Sequence, residues 1–385
     1  MRRPARVAML THSTLPRGGV VHAMCLSEAL GALGFETTLH APDAGGRGFF
    51  REPRCAAIAF PVEPAPRQTA DMVEQRIDDY LRWFRRPENR GFDLYHAHDG
   101  IGANALATLK EEGLIRAFVR TVHHIDDFAD PRLIRRQARS ILAADACMVV
   151  SRLWRDTLVA RFGREAEVGG NGVDASRYSP RPDGAEVEVK DCLGLGGAPV
   201  FLSVGGVEAR KNTVRILQAF AEIHRARPDA RLVIVGGASL LDHHAYQAAF
   251  GRELTTLGEG ASAVSLLGPV ADSDMAALYR LASALVFASV KEGFGLCVLE
   301  AMASGTPVVA SRIAPFVDYL DPSDALWCDP NDSSSIAAAM RESLRPDVAN
   351  SFRARGPLVA ARFGWREVAE RHLAVYRRLR EPVHA

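Results

Sequence analysis

Short apolar runs alternate with longer amphipathic ones along nearly the whole chain, and this alternation most restricts what the chain can fold into. A short β-branched run followed by a stretch with apolar residues three and four apart is the pattern of a βαβ unit. Repeated, it gives a parallel sheet covered by helices. In the first half, strands are predicted at Arg6–His12, Phe35–Ala41, Asp93–Ala97, Ala117–His123 and Ala146–Ser151, with helices such as Val20–Leu33 and Leu133–Ala143. In the second half they fall at Val200–Gly205, Arg231–Gly236, Val264–Gly268, Ala284–Ala288 and Pro307–Ser311, separated by helices Asn212–Arg225, Ser273–Leu281 and Cys297–Ser304. Ser179–Gly197, rich in Pro, Gly and charge, reads as the linker between the two sets. The predicted class is α/β, with domains over 1–180 and 181–363 and a last helix within 364–385. Each half of the 385 residues is long enough to bury its own core.

That last helix, Trp365–Leu379, lines up Val368, Ala369, Leu373, Val375 and Tyr376 on one face. It can cover its own domain or return to the first one.

Composition excludes several classes. With 48% hydrophobic and 24% charged residues, the chain is globular. A formal charge of +1 and a pI near 7.7 lack the strongly basic face of a nucleic-acid binder. Six scattered cysteines without a CxxC pair suit a reducing cytoplasm. The N-terminal MRRPARVAMLTHS reads as a buried strand, not a signal peptide, and no apolar run reaches the ~18 residues of a membrane span. The expected location is the cytoplasm.

The segment with the most chemistry is Lys291–Ser311, KEGFGLCVLEAMASGTPVVAS. Gly295 lets a ligand approach the backbone, and the helix starting near Leu296 directs free N–H groups and its positive dipole end at the same place, which suits a diphosphate. Glu300, about one turn in, interrupts a small apolar helix where an unpartnered charge is costly. There it can accept hydrogen bonds from ribose hydroxyls, and Glu292 on the loop can do so for a sugar ring. The bland reading makes both solvated carboxylates. Gly18-Gly19, between the first strand and helix Val20–Leu33, brings backbone amides toward an anion, or is an ordinary βα turn. Val235-Gly236-Gly237-Ala238 is a weaker strand-end glycine pair.

Metal readings are not favoured. His96-Ala97-His98-Asp99 lacks a downstream ligand set, Asp272-Ser273-Asp274 reads as a helix start, and Asp126-Asp127 reads as a polar loop. Asp79–Arg90 and Arg132–Arg139 are basic with apolar interleaving. Such stretches rest on anionic membrane or, more commonly, form solvated faces with arginine stems on apolar surface.

Lys291–Ser311 resembles the signature of the family 4 retaining glycosyltransferases, E-G-F-G-L-x-x-x-E-A-M-A-x-G-x-P-V-V-A, at every fixed position. The likeness extends over nearly the whole chain. Pro16-Arg17-Gly18-Gly19 resembles the family's glycine pair, and Thr121-Val122-His123 ends a strand where the family has a histidine near the donor sugar. Asn171-Gly172-Val173-Asp174, with Tyr178 and Pro180, resembles its domain exit, and the Trp365 helix resembles its crossing helix. The resemblance implies the GT-B fold of two facing Rossmann-like domains and metal-independent transfer of a sugar, with retention, from a nucleotide-diphosphate-sugar. It implies no cofactor. It gives Glu292, Lys211 and His123 to the sugar and the chemistry, and assigns the donor to Gly18, Gly19, Arg210, Phe294, Gly295, Leu296 and Glu300.

One departure lies in Ser203–Asn212, SVGGVEARKN, where Gly206 replaces the family's phosphate-binding arginine while Lys211 matches its lysine. Arg210 is the candidate replacement, and otherwise a solvated residue. Asn212 is expected to cap the next helix. The donor base, read near Leu266–Val270, and the acceptor, a small molecule, glycan or lipid met by variable loops including Gly45–Arg67, stay open. So do a GT-B epimerase, a phosphorylase-type enzyme and a non-catalytic nucleotide-sugar binder.

Overall fold

A computed structural model describes residues 4–237 and 243–380. The chain divides into two compact units, Met1–Gly172 with Trp365–Ala385, and Val173–Gly364. The first runs β1 (Arg6–Leu10), α1 (Gly18–Ala32), β2 (Glu36–Asp43), β3 (Ala56–Pro61), α2 (Thr69–Arg85), β4 (Leu94–Ala97), α3 (Gly100–Glu111), β5 (Phe118–Val122), α4 (Pro131–Leu142), β6 (Ala146–Val149), α5 (Arg152–Phe162) and β7 (Glu167–Val168). The second runs α6 (Ala185–Cys192), β8 (Val200–Val204), α7 (Thr213–Ala226), β9 (Arg231–Val235), α8 (His244–Thr256), β10 (Val264–Gly268), α9 (Asp272–Leu281), β11 (Ala284–Phe287), α10 (Leu296–Ala303), β12 (Val308–Ser311), α11 (Phe316–Tyr319), β13 (Leu326–Cys328), α12 (Ser333–Ser343) and α13 (Pro346–Ala360). The last helix, α14 (Trp365–Arg380), belongs to the first unit.

The first sheet has the order β3-β2-β1-β4-β5-β6-β7, and each pair is parallel. Its central strands are buried on both faces; Val7–Leu10 of β1 and all of β6 read as unbroken apolar runs, while β4 and β5 bury His96, Arg120 and Thr121 among their apolar residues. Val368, Ala369, Leu373, Val375 and Tyr376 of α14 share one core with Val7, Met9, Ala23, Met24 and Leu39. Spacings of four (Ala369 to Leu373), three (Leu373 to Tyr376) and seven (Val368 to Val375) keep these five residues on one face of the helix, and that face reaches the core. Gly45–Arg67 is not all loop. Ala56–Pro61 pairs with β2 as the edge strand β3; its sequence, AAIAFP, is an apolar run inside a segment otherwise rich in Gly, Pro and charge.

The second sheet, again parallel throughout, has the order β10-β9-β8-β11-β12-β13. The linker expected at Ser179–Gly197 is a correction. It contains α6, whose Glu186 pairs with Arg280 of α9, and Asp183 pairs with the same arginine. Lacking any fully buried residue, α6 carries no core stripe in its sequence. The chain leaves the first unit after Gly172, eight positions before the expected 180/181 boundary. Val173 N donates to Phe363 O, Arg177 pairs with Asp272, and Tyr178 packs edge-on to Tyr279, all within the second unit.

Among the described residues, no helix is long and apolar enough to cross a membrane. The basic stretches are largely paired. Arg82 and Arg76 face Asp79, Arg85 faces Glu112, Arg132 faces Asp71, Arg136 faces Glu74 and Arg139 faces Glu111, the pattern of a solvated face.

Candidate functional site

In an open parallel sheet, the crevice for ligands lies beyond the carboxyl ends of the strands where strand order reverses. In the second sheet that place is between β8 and β11, because the chain proceeds outward in one direction through β9 and β10 and in the other through β12 and β13. The loops leaving these two strands carry Gly205–Asn212 and Ser289–Gly295. They are stitched together: Val290 N donates to Arg210 O at 3.0 Å, and Asn212 Nδ2 donates to Ala288 O at 3.0 Å and to Pro330 O at 2.6 Å. Asn212 was expected to cap α7 with its side chain. It does not; it takes the left-handed conformation at φ 61° and spends its amide on these two carbonyls.

Three charged side chains converge here. Lys211 Nζ and Arg210 Nη1 each donate to Glu292 Oε1 at 2.6 Å, with Glu292 itself 6% exposed. Lys211 reaches it by laying its stem over Gly205, where φ is +128° and an added Cβ would stand 2.4 Å from Lys211 Cε. Its ammonium also lies 4.4 Å from the centre of the Phe287 ring, a cation–π contact. A carboxylate holding two cations in a buried place is an anion site already occupied by an internal anion.

Beside it, α10 begins at Leu296, with Gly295 as N-cap at φ +94° and no side-chain cap on its first amides. A Cβ on Gly295 would meet Phe316 Cε1 at 2.6 Å, so this backbone tolerates no side chain. Phe294 stacks on Tyr319 with centroids 4.4 Å apart, and Tyr319 Oη donates to Phe294 O at 3.0 Å. Glu300 is half-buried and accepts from Tyr279 Oη at 2.7 Å. Burial raises its pKa, opposed by that hydroxyl and by Arg177. Glu292, Lys211, Arg210, Phe294, Gly295, Leu296 and Glu300 thus all lie on the two loops and the helix at one switch point. Gly236 and Gly237 of β9's exit lie beside Gly206, and Pro269 packs on Gly237; Ala238 lies outside the described residues.

Sequence reasoning singled out neither Tyr279 nor Tyr319, nor Glu208, which lies 4% exposed with Oε2 3.7 Å from Arg210 Nη2. Their partners are distant in sequence or hidden by a turn, so no spacing announces them.

In the first sheet the switch point lies between β1 and β4. Gly18 opens α1, and Gly19 lies against His123: an added Cβ would meet His123 Cδ2 at 3.3 Å. His123, not His124, faces inward. His124 is exposed and pairs with Asp126 at 3.2 Å. His123 Nε2 is 3.4 Å from His98 Nδ1, and burial holds its pKa well below the usual value, with His22 and Arg120 adding to this. Below them, His22 Nδ1 meets Asn171 Oδ1 at 2.6 Å, and His96 bridges Tyr376 Oη at 2.6 Å and Thr121 Oγ1 at 2.7 Å.

Among the described residues no three His, Cys, Asp or Glu side chains are grouped to hold a metal ion. Asp272 pairs with Arg177, and the residue flanking α9 as N-cap is Ala271, not an Asp or Ser; Asp272 and Asp274 occupy the first turn and face the helix dipole instead.

Two doubly wound sheets, one with a cationic, amide-lined crevice at its switch point, define the α/β GT-B class of nucleotide-sugar enzymes. The profile named Glycosyl transferases group 1 matches residues 190–355, and that named Glycosyltransferase Family 4 matches residues 16–177. O-antigen chain mannosyltransferase B of Escherichia coli is 29% identical over 274 residues, covering 68% of this chain and 70% of that protein. Sucrose-phosphate synthase from Thermosynechococcus elongatus shares the fold with a TM-score of 0.78 at 21% identity, over 97% of this chain and 99% of that one. Anabaena HepE, solved in complex with UDP and glucose, has a TM-score of 0.75 at 16% identity, over 96% and 98% of the two chains. The chain belongs to the family 4 glycosyltransferases, and it moves a sugar from a nucleotide-sugar donor.

Proposed function

We propose that the second unit holds the donor and that transfer proceeds with retention and without a metal. The observation that carries this reading is the convergence of Lys211 and Arg210 on Glu292 at the switch point, beside the uncapped start of α10. In this reading the donor's diphosphate takes Lys211, Arg210 and the amides of Gly295 and Leu296. Its ribose hydroxyls are accepted by Glu300, and Glu292 turns to the sugar. Phe294 fixes the loop through its stacking on Tyr319. Gly18, Gly19 and His123 of the first unit belong to the same proposal, His123 on the donor sugar.

Negative charge grows on the departing diphosphate as the glycosidic bond breaks, so fixed cations and N–H groups favour the transition state over the ground state. The acceptor hydroxyl attacks on the leaving-group face, and its proton passes to a phosphate oxygen. No protein nucleophile is needed for retention by this route.

Steady-state hydrolysis of UDP-, GDP- and ADP-sugars in the presence of a chelator tests the reading. One donor should be turned over slowly without added metal, and Lys211→Ala should lower that rate by at least about 10- to 100-fold, the loss of one charge-assisted phosphate contact. Full turnover by Lys211→Ala, or activity only with added metal, contradicts it.

A further inference from the structure

Family 4 enzymes carry a phosphate-binding arginine where this chain has Gly206, and the local backbone shows that none fits there. Gly206 has φ +72°, and an added Cβ would lie 2.8 Å from Gly236 O and 3.0 Å from Gly237 O. Gly205 N and Gly206 N both donate to Val235 O, at 2.7 and 2.9 Å, which presses the two loop backbones together. A second cation for the pocket must therefore come from elsewhere. Arg210 supplies one from the 3₁₀ turn Ala209–Lys211, four residues on.

A long side chain that is 38% exposed does not aim itself. Glu208 is placed to do this. Its carbonyl accepts from Lys211 N at 3.0 Å and Asn212 N at 3.1 Å, so its backbone builds the turn that presents both cations. Its carboxylate, nearly out of water, has Arg210 Nη2 3.7 Å from Oε2 and His243 Nε2 3.7 Å from Oε1. The guanidinium thus has one edge toward Glu208 while Nη1 donates to Glu292. This division of labour needs the planar fork of an arginine and is beyond a lysine.

We propose that Glu208 is a positioning residue for donor binding: it holds one edge of Arg210 so that the other edge passes from Glu292 to the diphosphate of the donor. The proposal rests on the donor-site reading above. When the diphosphate arrives, Glu292 loses a cation to it and becomes available to the sugar, while Glu208 keeps Arg210 at the pocket. No covalent bond changes in this exchange.

Calorimetry on the full chain tests it, using whichever of UDP, GDP and ADP the wild type binds. Glu208→Gln should weaken binding about 3- to 10-fold in the native background. In an Arg210→Ala background the same substitution should leave binding unchanged or tighten it, because Glu208 then has no guanidinium to hold at the pocket. An equal change in both backgrounds, or tightening in the native one, overturns the proposal. A merely structural Glu208 would give that equal change. If Glu208→Gln fails to fold, Arg210→Lys decides. That exposed substitution keeps the charge but not the fork, and should lose nearly as much affinity as Arg210→Ala. Wild-type affinity in Arg210→Lys overturns the proposal. If the wild type binds none of the three nucleotides, the donor-site reading itself fails and this inference falls with it.

Discussion

Glu292 holds Lys211 and Arg210 through one oxygen, so an incoming diphosphate competes with it for both cations. Glu292→Gln removes the competing charge while keeping the shape. Affinity for a nucleoside diphosphate should hold or tighten several-fold, whereas turnover of the sugar-bearing donor should fall by roughly 100-fold, as an interaction realised mainly in the transition state is lost. Parallel calorimetry and turnover measurements separate the two effects. Loss of nucleotide affinity equal to the loss of turnover would refute the competition. At this scale the sequence was legible where chemistry and spacing coincide. Glu292 and Glu300 flank a glycine loop eight residues apart, and Lys211 stands on a strand-to-helix turn. Tyr279 and Tyr319 were not legible, because each meets its partner, Glu300 and Phe294, only through the packing of α9 and α11.

The element that matters most is α10 with the glycine before it. Gly295 has φ +94° and its missing Cβ would overlap Phe316, so Gly295→Ala must move the start of the helix or the ring. Strain of this kind costs about 1–3 kcal/mol. The expected result is a lowered melting temperature together with weakened nucleotide binding, read by calorimetry, because the displaced amides are those assigned to the diphosphate. A variant that melts lower but binds as the wild type does would detach α10 from the site. Elements with a buried stripe, such as β8, β9 and α14, were legible from their apolar periodicity. Two of those missed lack such a stripe: β7 has two residues, and α6 has no fully buried residue to mark its face. β3 does carry an apolar run, AAIAFP, but as an edge strand within a Gly- and Pro-rich segment it did not stand out.

Over the whole molecule, the unusual feature is the number of buried neutral histidines in the first unit. His22 and His96 each lie within ring-contact distance of both His98 and His372, and His123 joins them through His22 and His98. Burial lowers His22 to about 4 and His372 to about 3, with Arg371 and Arg120 adding repulsion nearby. A lowered folded-state value means that the unfolded chain binds the proton first. Stability is therefore retained above the ordinary histidine value near 6.5 and declines as pH falls from there toward 4. His22 alone should contribute a loss of about 2 kcal/mol between pH 6.5 and 5. Denaturant titrations at pH 7 and pH 5 check this, and equal midpoints would contradict it. The α/β class and both parallel sheets were legible because strand and helix alternate throughout. The histidine core was not, since His22, His96 and His372 come from three distant segments.

The most direct test of the central claim is calorimetric titration of UDP, GDP and ADP into the wild type and Glu300→Ala. One nucleotide should bind the wild type and bind the variant at least about tenfold more weakly, as a lost charged hydrogen bond to ribose requires. No binding to the wild type at millimolar concentrations, or equal binding to both, would contradict a donor site built on α10.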